Sequence, residues 1–258
     1  MKIGTYNIWN DNRNYEQRME LLIDLINEKK IDVLGLQEVR DEAIVKRIKE
    51  ECGFKDYFWK QYFDCQEGLA ILSNYSLTNR WTNWDDTEDI HNSTLMCGHF
   101  EMGDQIIALM NVHLDDALST NREIEIVKAV AYMKRKDVNY KFLLGDFNTY
   151  PDSKVYRFLT ASDSLNGENA EWIDIPEAWC LRKGEELEST LDFINNPRWL
   201  CQDVLYKPGR FDWIFMDDPY PAKTPKLTHY ELIGKELKNG ITPSDHYGVV
   251  VEMEFGVE

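Results

Sequence analysis

Apolar positions recur along the chain with two spacings, and the two alternate through its first half. KIGTYNIW (2–9), IDVLGLQEV (31–39), GLAILS (68–73) and IIALMNVHL (106–114) are apolar runs of strand length, and STLMCGHFEM (93–102) reads the same way. Between the first two, Met19, Leu22, Ile23 and Ile26 fall at helical spacing within residues 14–29. A charged helix is expected near residues 40–51. Thr120-Asn121-Arg122-Glu123 fits a capping box, predicting a helix that turns Ile124, Val127, Val130 and Ala131 inward. KFLLGD (141–146) gives another strand and DSKVYRFLTA (152–161) a short helix. Residues 163–209 lose the pattern; so long a loop inside a compact domain usually forms a wall of a binding site. RFDWIFMD (210–217) and HYGVVVEMEF (246–255) then return to strand. Strands interspersed with helices predict α/β layers, and strands following one another without a helix predict antiparallel neighbours.

Polar residues interrupt this pattern at particular places. Asn7, Glu38, His113, Asp146, Asn148, Asp212, Asp245 and His246 each sit inside or just after an apolar strand. Singly, each has an ordinary reading as a turn, bulge, cap or satisfied core residue. Together they imply a shared polar site, because a buried carboxylate or amide is costly unless something satisfies it. Carboxylate and amide oxygens suit a hard cation, and histidines beside carboxylates suit proton transfer near neutral pH. Charge narrows the partner. With 29 Lys and Arg against 46 Asp and Glu the chain carries −17, which argues against a general basic surface for long polyanions. A local metal site would still reverse the field where it matters. The five cysteines are odd in number and scattered, so neither a disulfide framework nor a zinc knuckle is indicated. No apolar run reaches the roughly 18 residues of a membrane span. A soluble cytoplasmic protein without stable membrane insertion is therefore expected, and no oligomeric partner is indicated.

Seven motifs in order, TYNIW (5–9), LQEV (36–39), GLAILS (68–73), NVHLD (111–115), LLGDFN (143–148), RFDWIF (210–215) and SDHYGV (244–249), resemble the endonuclease/exonuclease/phosphatase superfamily. The resemblance spans essentially the whole chain and implies one domain, residues 1–258. It implies a deoxyribonuclease I-like, four-layered α/β sandwich: two mixed β-sheets packed face to face and flanked by helices, with the site where strand ends converge. It further implies Glu38 as the main Mg2+ ligand, with Asn7 and Asp245 near the metal and Mn2+ as a substitute. His246 becomes general base or transition-state stabiliser, oriented by Asp212. Asp146 and Asn148 hold the attacking water, the scissile phosphate or the leaving group, and His113 donates to a phosphate oxygen.

The substrate is less sharply marked. Arg122 follows His113 by nine residues, as in many members, and is expected either at a phosphate or supporting the site, or else paired on the surface with Glu123 or Glu125. EAWCLRKGEELESTLDFINNP resembles a segment of bacterial members, which would place Thr190, Asn195 and Asn196 along the substrate cleft. Trp172, Trp179, Trp199, Phe193 and Tyr206 are expected to stack a base or cover a lipid or sugar, or else to staple the loop to the core. In KFLLGDFN, Gly145 is expected to turn the strand out of the core, with Phe147 inward and Asp146 and Asn148 alternating to one side. The leading expectation is a Mg2+-dependent phosphodiesterase acting on a phosphate-ester substrate, a nucleic-acid end, nucleotide or small diester. The alternatives are a phosphomonoesterase or sphingomyelinase-like phospholipase on the same site, and a catalytically silent binding module.

Overall fold

The structure, a computed structural model, describes residues 1–62, 65–85, 94–199 and 204–256. Ser93, at the head of an expected strand, and Cys201 lie outside the described residues. One sheet holds β1 (Lys2–Asn7), β2 (Val33–Val39), β3 (Asp56–Gln61), β4 (Gly68–Ser73), β11 (Lys226–Ile233) and β12 (Gly248–Glu254), in the order β11-β12-β1-β2-β4-β3. The other holds β5 (Thr78–Thr82), β6 (Thr94–Met102), β7 (Gln105–His113), β8 (Tyr140–Asp146), β9 (Trp172–Asp174) and β10 (Asp212–Asp217), in the order β5-β6-β7-β8-β10-β9. Each sheet has one parallel pair at its centre, β1 with β2 and β7 with β8. A helix crosses over between the strands of each pair, α1 (Tyr15–Lys29) in the first and α3 (Ser119–Lys134) in the second. The remaining α-helices among the described residues are α2 (Glu42–Cys52), α4 (Lys154–Leu159) and α5 (Ile175–Lys183).

Three apolar layers hold this together. Met19, Leu22, Ile23 and Ile26 of α1 and Ile44, Val45 and Ile48 of α2 pack on Leu34, Leu36, Ala70 and Leu72 of the first sheet. Ile126, Ala129, Val130 and Met133 of α3, with Val155 and Phe158 of α4, cover Ala108, Met110, Leu143 and Phe215 of the second. Between the sheets lie Ile3, Val33, Leu69 and Ile71 against Phe100, Leu109, Phe142 and Ile214. A helix on each outer face and two sheets inside make the expected four layers. Buried amides tie the sheets across this apolar middle. Gln37 Nε2 donates to Thr5 Oγ1 (3.0 Å) and Asn111 Oδ1 (2.6 Å), while Asn111 Nδ2 donates to the Leu36 and Ala70 carbonyls.

Several local expectations are corrected. α3 starts at Ser119 and no side chain of its first turn caps it. Instead the Asp115 carboxylate, in the turn ahead, accepts from the Ala117 and Leu118 N–H groups and from Asn121 Nδ2. Its buried face runs through Glu125, Ile126, Ala129, Val130 and Met133, so of the expected inward set only Val130 is buried. Residues 163–209 are not wholly irregular, since they contain β9 and α5. The second begins with a capping Asp174, whose carboxylate accepts from the Glu177 N–H, and a proline in its first turn. No described helix is long and apolar enough to cross a membrane, and the four described cysteines are free.

Candidate active site

Strand register builds the first half of the site. His113 ends β7, Asp146 ends β8 and Asp212 begins β10; His113 is the register partner of Asp146, and Asp146 of Asp212. Three candidate side chains thus stand in one row across adjacent strands. Gly145 allows this approach. Its φ is +139°, and a Cβ there would fall on the Val112 carbonyl oxygen of the neighbouring strand. Phe147 turns into the core and stacks on Trp213 at 4.5 Å between ring centroids. Asn148 does not continue the strand alternation. Its φ is +48°, its N–H donates to Asp146 Oδ1 at 2.8 Å, and its side-chain nitrogen donates to the Leu114 carbonyl at 2.9 Å. Asn148 therefore fixes the Asp146 carboxylate and ties it to the end of β7.

The other sheet supplies the second half. Asn7 ends β1, and Glu38 sits where the pairing of β2 with β4 slips between Leu36 and Val39. The bulge and a φ of +55° re-aim the Glu38 carboxylate. Asn7 Nδ2 bridges Glu38 Oε1 (2.8 Å) and Asp146 Oδ2 (2.9 Å), so one amide joins the two sheets at the site. Its oxygen accepts from the Trp9 N–H, which makes Asn7 a clamp on two carboxylates and leaves its oxygen turned away from them. The Asn10 N–H holds Glu38 Oε2 at 3.0 Å. Ahead of β12, Ser244 Oγ donates to the Asn7 carbonyl, and Asp245 and His246 follow it into the cleft.

Electrostatics divide these groups by task. His246 Nδ1 lies 2.9 Å from Asp212 Oδ2, and its Nε2 lies 3.8 Å from Asp146 Oδ2. Burial alone would lower the imidazole, but Asp212, Asp146 and Asp245 outweigh it and hold His246 well above its ordinary range. This favours the protonated ring, with Nδ1 on Asp212 and Nε2 left as a donor. His113 Nε2 comes to 3.9 Å from the same Asp146 oxygen, from the opposite wall. Asp245 is pushed up to about 7 by burial and further by Glu38, with His246, Ser244 and Arg18 only partly offsetting this. Two carboxylates that repel each other in a buried site want a cation, and their oxygens are the donors a hard divalent ion takes. The residues present fit such an ion. Asp146, Asp212 and His246 also bring one donor atom each within 4.8 Å of one another. In that group the His246 Nδ1 is committed to Asp212, which leaves Nε2 and the carboxylate oxygens as the donor atoms.

The outer residues sit differently. Thr190 and Asn196 are fully buried, and their side chains are engaged in bonds beneath the site rather than turned to the cleft. Thr190 Oγ1 accepts from the Phe211 and Asp212 N–H groups, holding the start of β10. Asn196 Nδ2 donates to the Ser244 carbonyl and its oxygen accepts from the Thr242 hydroxyl, beneath the Asp245–His246 turn. Asn195 is exposed and bonded to Asp192. Arg122 pairs with neither Glu123 nor Glu125 but donates to the Asp115 carbonyl at 2.7 Å. Trp172 is buried as a staple, Trp199 Nε1 donates to the Asp245 carbonyl, and Phe193 packs edge-on to Trp199 at 4.9 Å. Sequence reasoning missed three contributors. Tyr62 meets His113, Asn10 holds Glu38 through its backbone, and Glu67, pushed up by burial and by Glu38, accepts from Asn10 Nδ2 at 3.2 Å. The one available signal was Glu67, an acid directly ahead of the GLAILS strand.

A family model described as the Endonuclease/Exonuclease/phosphatase family matches residues 4–246. Solved structures share the fold. D. rerio TDP2 complexed with a single strand DNA product superimposes with a TM-score of 0.79 at 23% identity, covering 97% of each chain. An endonuclease/exonuclease/phosphatase from Bacteroides vulgatus gives 0.77 at 16% identity, covering 99% of this chain and 98% of that one. A functionally unknown conserved protein from Enterococcus faecalis gives 0.75 at 21% identity, covering 99% and 100%. No curated protein sequence matches the chain. Two six-stranded sheets with the matched motifs converging at one edge, and a family model spanning nearly the whole sequence, lead to one conclusion: the chain belongs to the endonuclease/exonuclease/phosphatase family and is a phosphoric ester hydrolase.

Proposed function

We propose that the protein is a Mg2+-dependent phosphodiesterase that hydrolyses a nucleic-acid end or a small phosphodiester, with Mn2+ able to substitute. The observation that carries this reading is the gap around Asp146 Oδ2. Imidazole nitrogens stand 3.8 and 3.9 Å from it on two sides, too far for direct hydrogen bonds, so neither is committed to Asp146 and both can turn to a ligand lying beside that carboxylate. A phosphoryl oxygen beside the pair can accept from the imidazoles, and a water can donate to Asp146. Asp146 takes the proton of the attacking water as the new oxygen–phosphorus bond forms, and Asn7 and Asn148 keep its carboxylate in place. The His246 imidazolium, supported by Asp212, and His113 donate to phosphoryl oxygens on which charge accumulates. A divalent cation held by Glu38 and Asp245 would supply Lewis-acid stabilisation of that charge and of the departing oxygen. The D. rerio TDP2 neighbour was solved with a single strand DNA product, which favours a nucleic-acid diester over a lipid. The family match over residues 4–246 supports one catalytic domain.

The test compares aryl phosphate diester and monoester substrates, each with Mg2+ and with chelator. Diester cleavage should be the faster and should vanish on chelation; faster monoester cleavage would overturn the reading. His246→Ala should lower turnover by roughly 10²–10³, the usual loss of a transition-state donor, with folding preserved. Near-normal turnover by a folded, Mg2+-loaded His246→Ala variant would sink the role given to this residue.

A further inference from the structure

The turn between β3 and β4 brings a tyrosine to the wall of the site that the catalytic motifs do not include. Tyr62 directly follows β3, and its N–H donates to the Glu67 carbonyl at 2.9 Å, closing the two strands together. Its ring packs edge-on against Trp84, with centroids 5.7 Å apart at 82°. Trp84 is itself anchored, donating Nε1 to the Gln61 carbonyl at 2.8 Å. The phenol is therefore held on a hairpin and against an aromatic neighbour, and its hydroxyl comes to 3.2 Å from His113 Nδ1. The backbone of His113 is fixed independently, because the Thr94 hydroxyl donates to its carbonyl.

The direction of the Tyr62–His113 hydrogen bond follows from what faces the other ring nitrogen. His113 Nε2 looks toward Asp146 Oδ2 at 3.9 Å. A lone pair aimed at a carboxylate is repelled, whereas an N–H is attracted, so the hydrogen of the neutral ring belongs on Nε2. Nδ1 is then an acceptor, and the phenol must be the donor. Thr94 Oγ1 also lies within hydrogen-bonding reach of the phenol, but its own hydrogen goes to the His113 carbonyl, so of these two hydroxyls only the phenol can donate to Nδ1.

We propose that Tyr62 is a positioning residue: it donates its hydroxyl to His113 Nδ1 and thereby locks the imidazole in the tautomer and orientation that aim Nε2–H into the gap beside Asp146. In the phosphoesterase reading, on which the catalytic consequence rests, that hydrogen meets a phosphoryl oxygen of the substrate. The tautomer belongs to the resting protein and stands apart from any substrate. The pairing reaches across the sandwich, since β3 and β4 belong to the first sheet and His113 to the second. The hairpin touches the first sheet's half of the site as well, because Glu67 accepts from the side chain of Asn10, whose N–H holds Glu38.

The experiment has a spectroscopic arm and a kinetic arm. With 15N-labelled histidine, one of the five imidazoles should show the Nε2–H tautomer with Nδ1 shifted as a hydrogen-bond acceptor in the wild type, and Tyr62→Phe should move that Nδ1 signal to the position of an unbonded acceptor. The signal is assigned to His113 by its absence from His113→Ala. An Nδ1–H tautomer in the wild type, or no change on Tyr62→Phe, overturns the proposal. In turnover of the diester with Mg2+, Tyr62→Phe should lower kcat about tenfold, the scale of one lost hydrogen bond, with KM within about twofold. The same substitution in a His113→Ala background should cost nothing further. Equal losses in both backgrounds would make Tyr62 a mere packing residue and refute the positioning role. Normal turnover by His113→Ala would instead remove His113 from the reaction, while the imidazole spectrum would still decide the hydrogen bond.

Discussion

Glu125 faces inward on α3, only 1% exposed, and one of its carboxylate oxygens has no hydrogen-bond partner. The other accepts from the Asp115 N–H at 2.9 Å, so the acid holds the turn that follows His113. Burial pushes its pKa up from 4.5 to about 7, and the Asp115 charge adds to the rise, while that N–H, His113 and Arg122 oppose it. The sign of the linkage follows. Below the ordinary value the carboxyl is neutral in both folded and unfolded chains and costs nothing. As pH rises toward 7 the unfolded chain ionises first, so this residue's share of stability is progressively lost, and above 7 the loss is constant. At about 1.4 kcal/mol for each pH unit of that window, the loss reaches about 3 kcal/mol. Glu125→Gln keeps an oxygen for the Asp115 N–H and removes the titration. Urea unfolding should therefore find the variant and wild type alike at about pH 4, and the variant more stable at about pH 8 by up to that amount. An unchanged difference between the two pH values would show that Glu125 ionises freely.

Among elements, the pairing of β7 with β8 controls the site most directly, because it sets His113 beside Asp146. Gly145 lies inside that pairing at positive φ, with the Val112 carbonyl where a Cβ would go. Gly145→Ala should push β8 away from β7, costing more than about 2 kcal/mol through strain and collision together, and should remove activity by displacing Asp146. Urea denaturation and diester turnover would measure both. Native stability in that variant would mean that the strands tolerate a wider spacing than the fold implies. The same elements explain what could be read from the sequence. The central strands β1, β2, β4, β7, β8 and β12 are covered on both sides and stand out as apolar runs. The four strands not expected, β3, β5, β9 and β11, are the four sheet edges. Half-exposed edges mix polar and aromatic residues, as in DYFWKQ and TNRWT, and so carry no clean period. α5 stayed hidden because only Ile175, Pro176 and Cys180 of it are buried. At the site, side chains placed at the ends of central strands were legible, whereas Asn10 acts on Glu38 through a backbone N–H that no residue type reveals. Thr190 and Asn196 fall in a recognisable segment, but their full burial turns them toward the backbone of Phe211, Asp212 and Ser244.

For the molecule as a whole, a catalytic edge that must attract a phosphate ester belongs to a chain of net charge −17. The two facts act over different distances. Within the site, donors such as His246 act at contact, where salt screens little. Beyond it, the excess of acids acts on the whole approaching substrate, over a Debye length of about 30 Å at 0.01 M salt that shrinks to about 8 Å at 0.15 M. A substrate carrying several phosphates is therefore repelled at low ionic strength before it reaches the site, and added salt relieves that repulsion. The predicted outcome is that kcat/KM for a short single-stranded oligonucleotide rises as salt goes from about 0.01 M to about 0.15 M at constant free Mg2+, while a singly charged diester changes much less. An enzyme that gripped its substrate along a basic groove would do the reverse, losing affinity steeply as counterion release became less favourable. Steady-state kinetics on the two substrates across this salt range separate the cases. A steep fall for the oligonucleotide would locate a cationic track outside the motifs and overturn the view that recognition is confined to the catalytic edge.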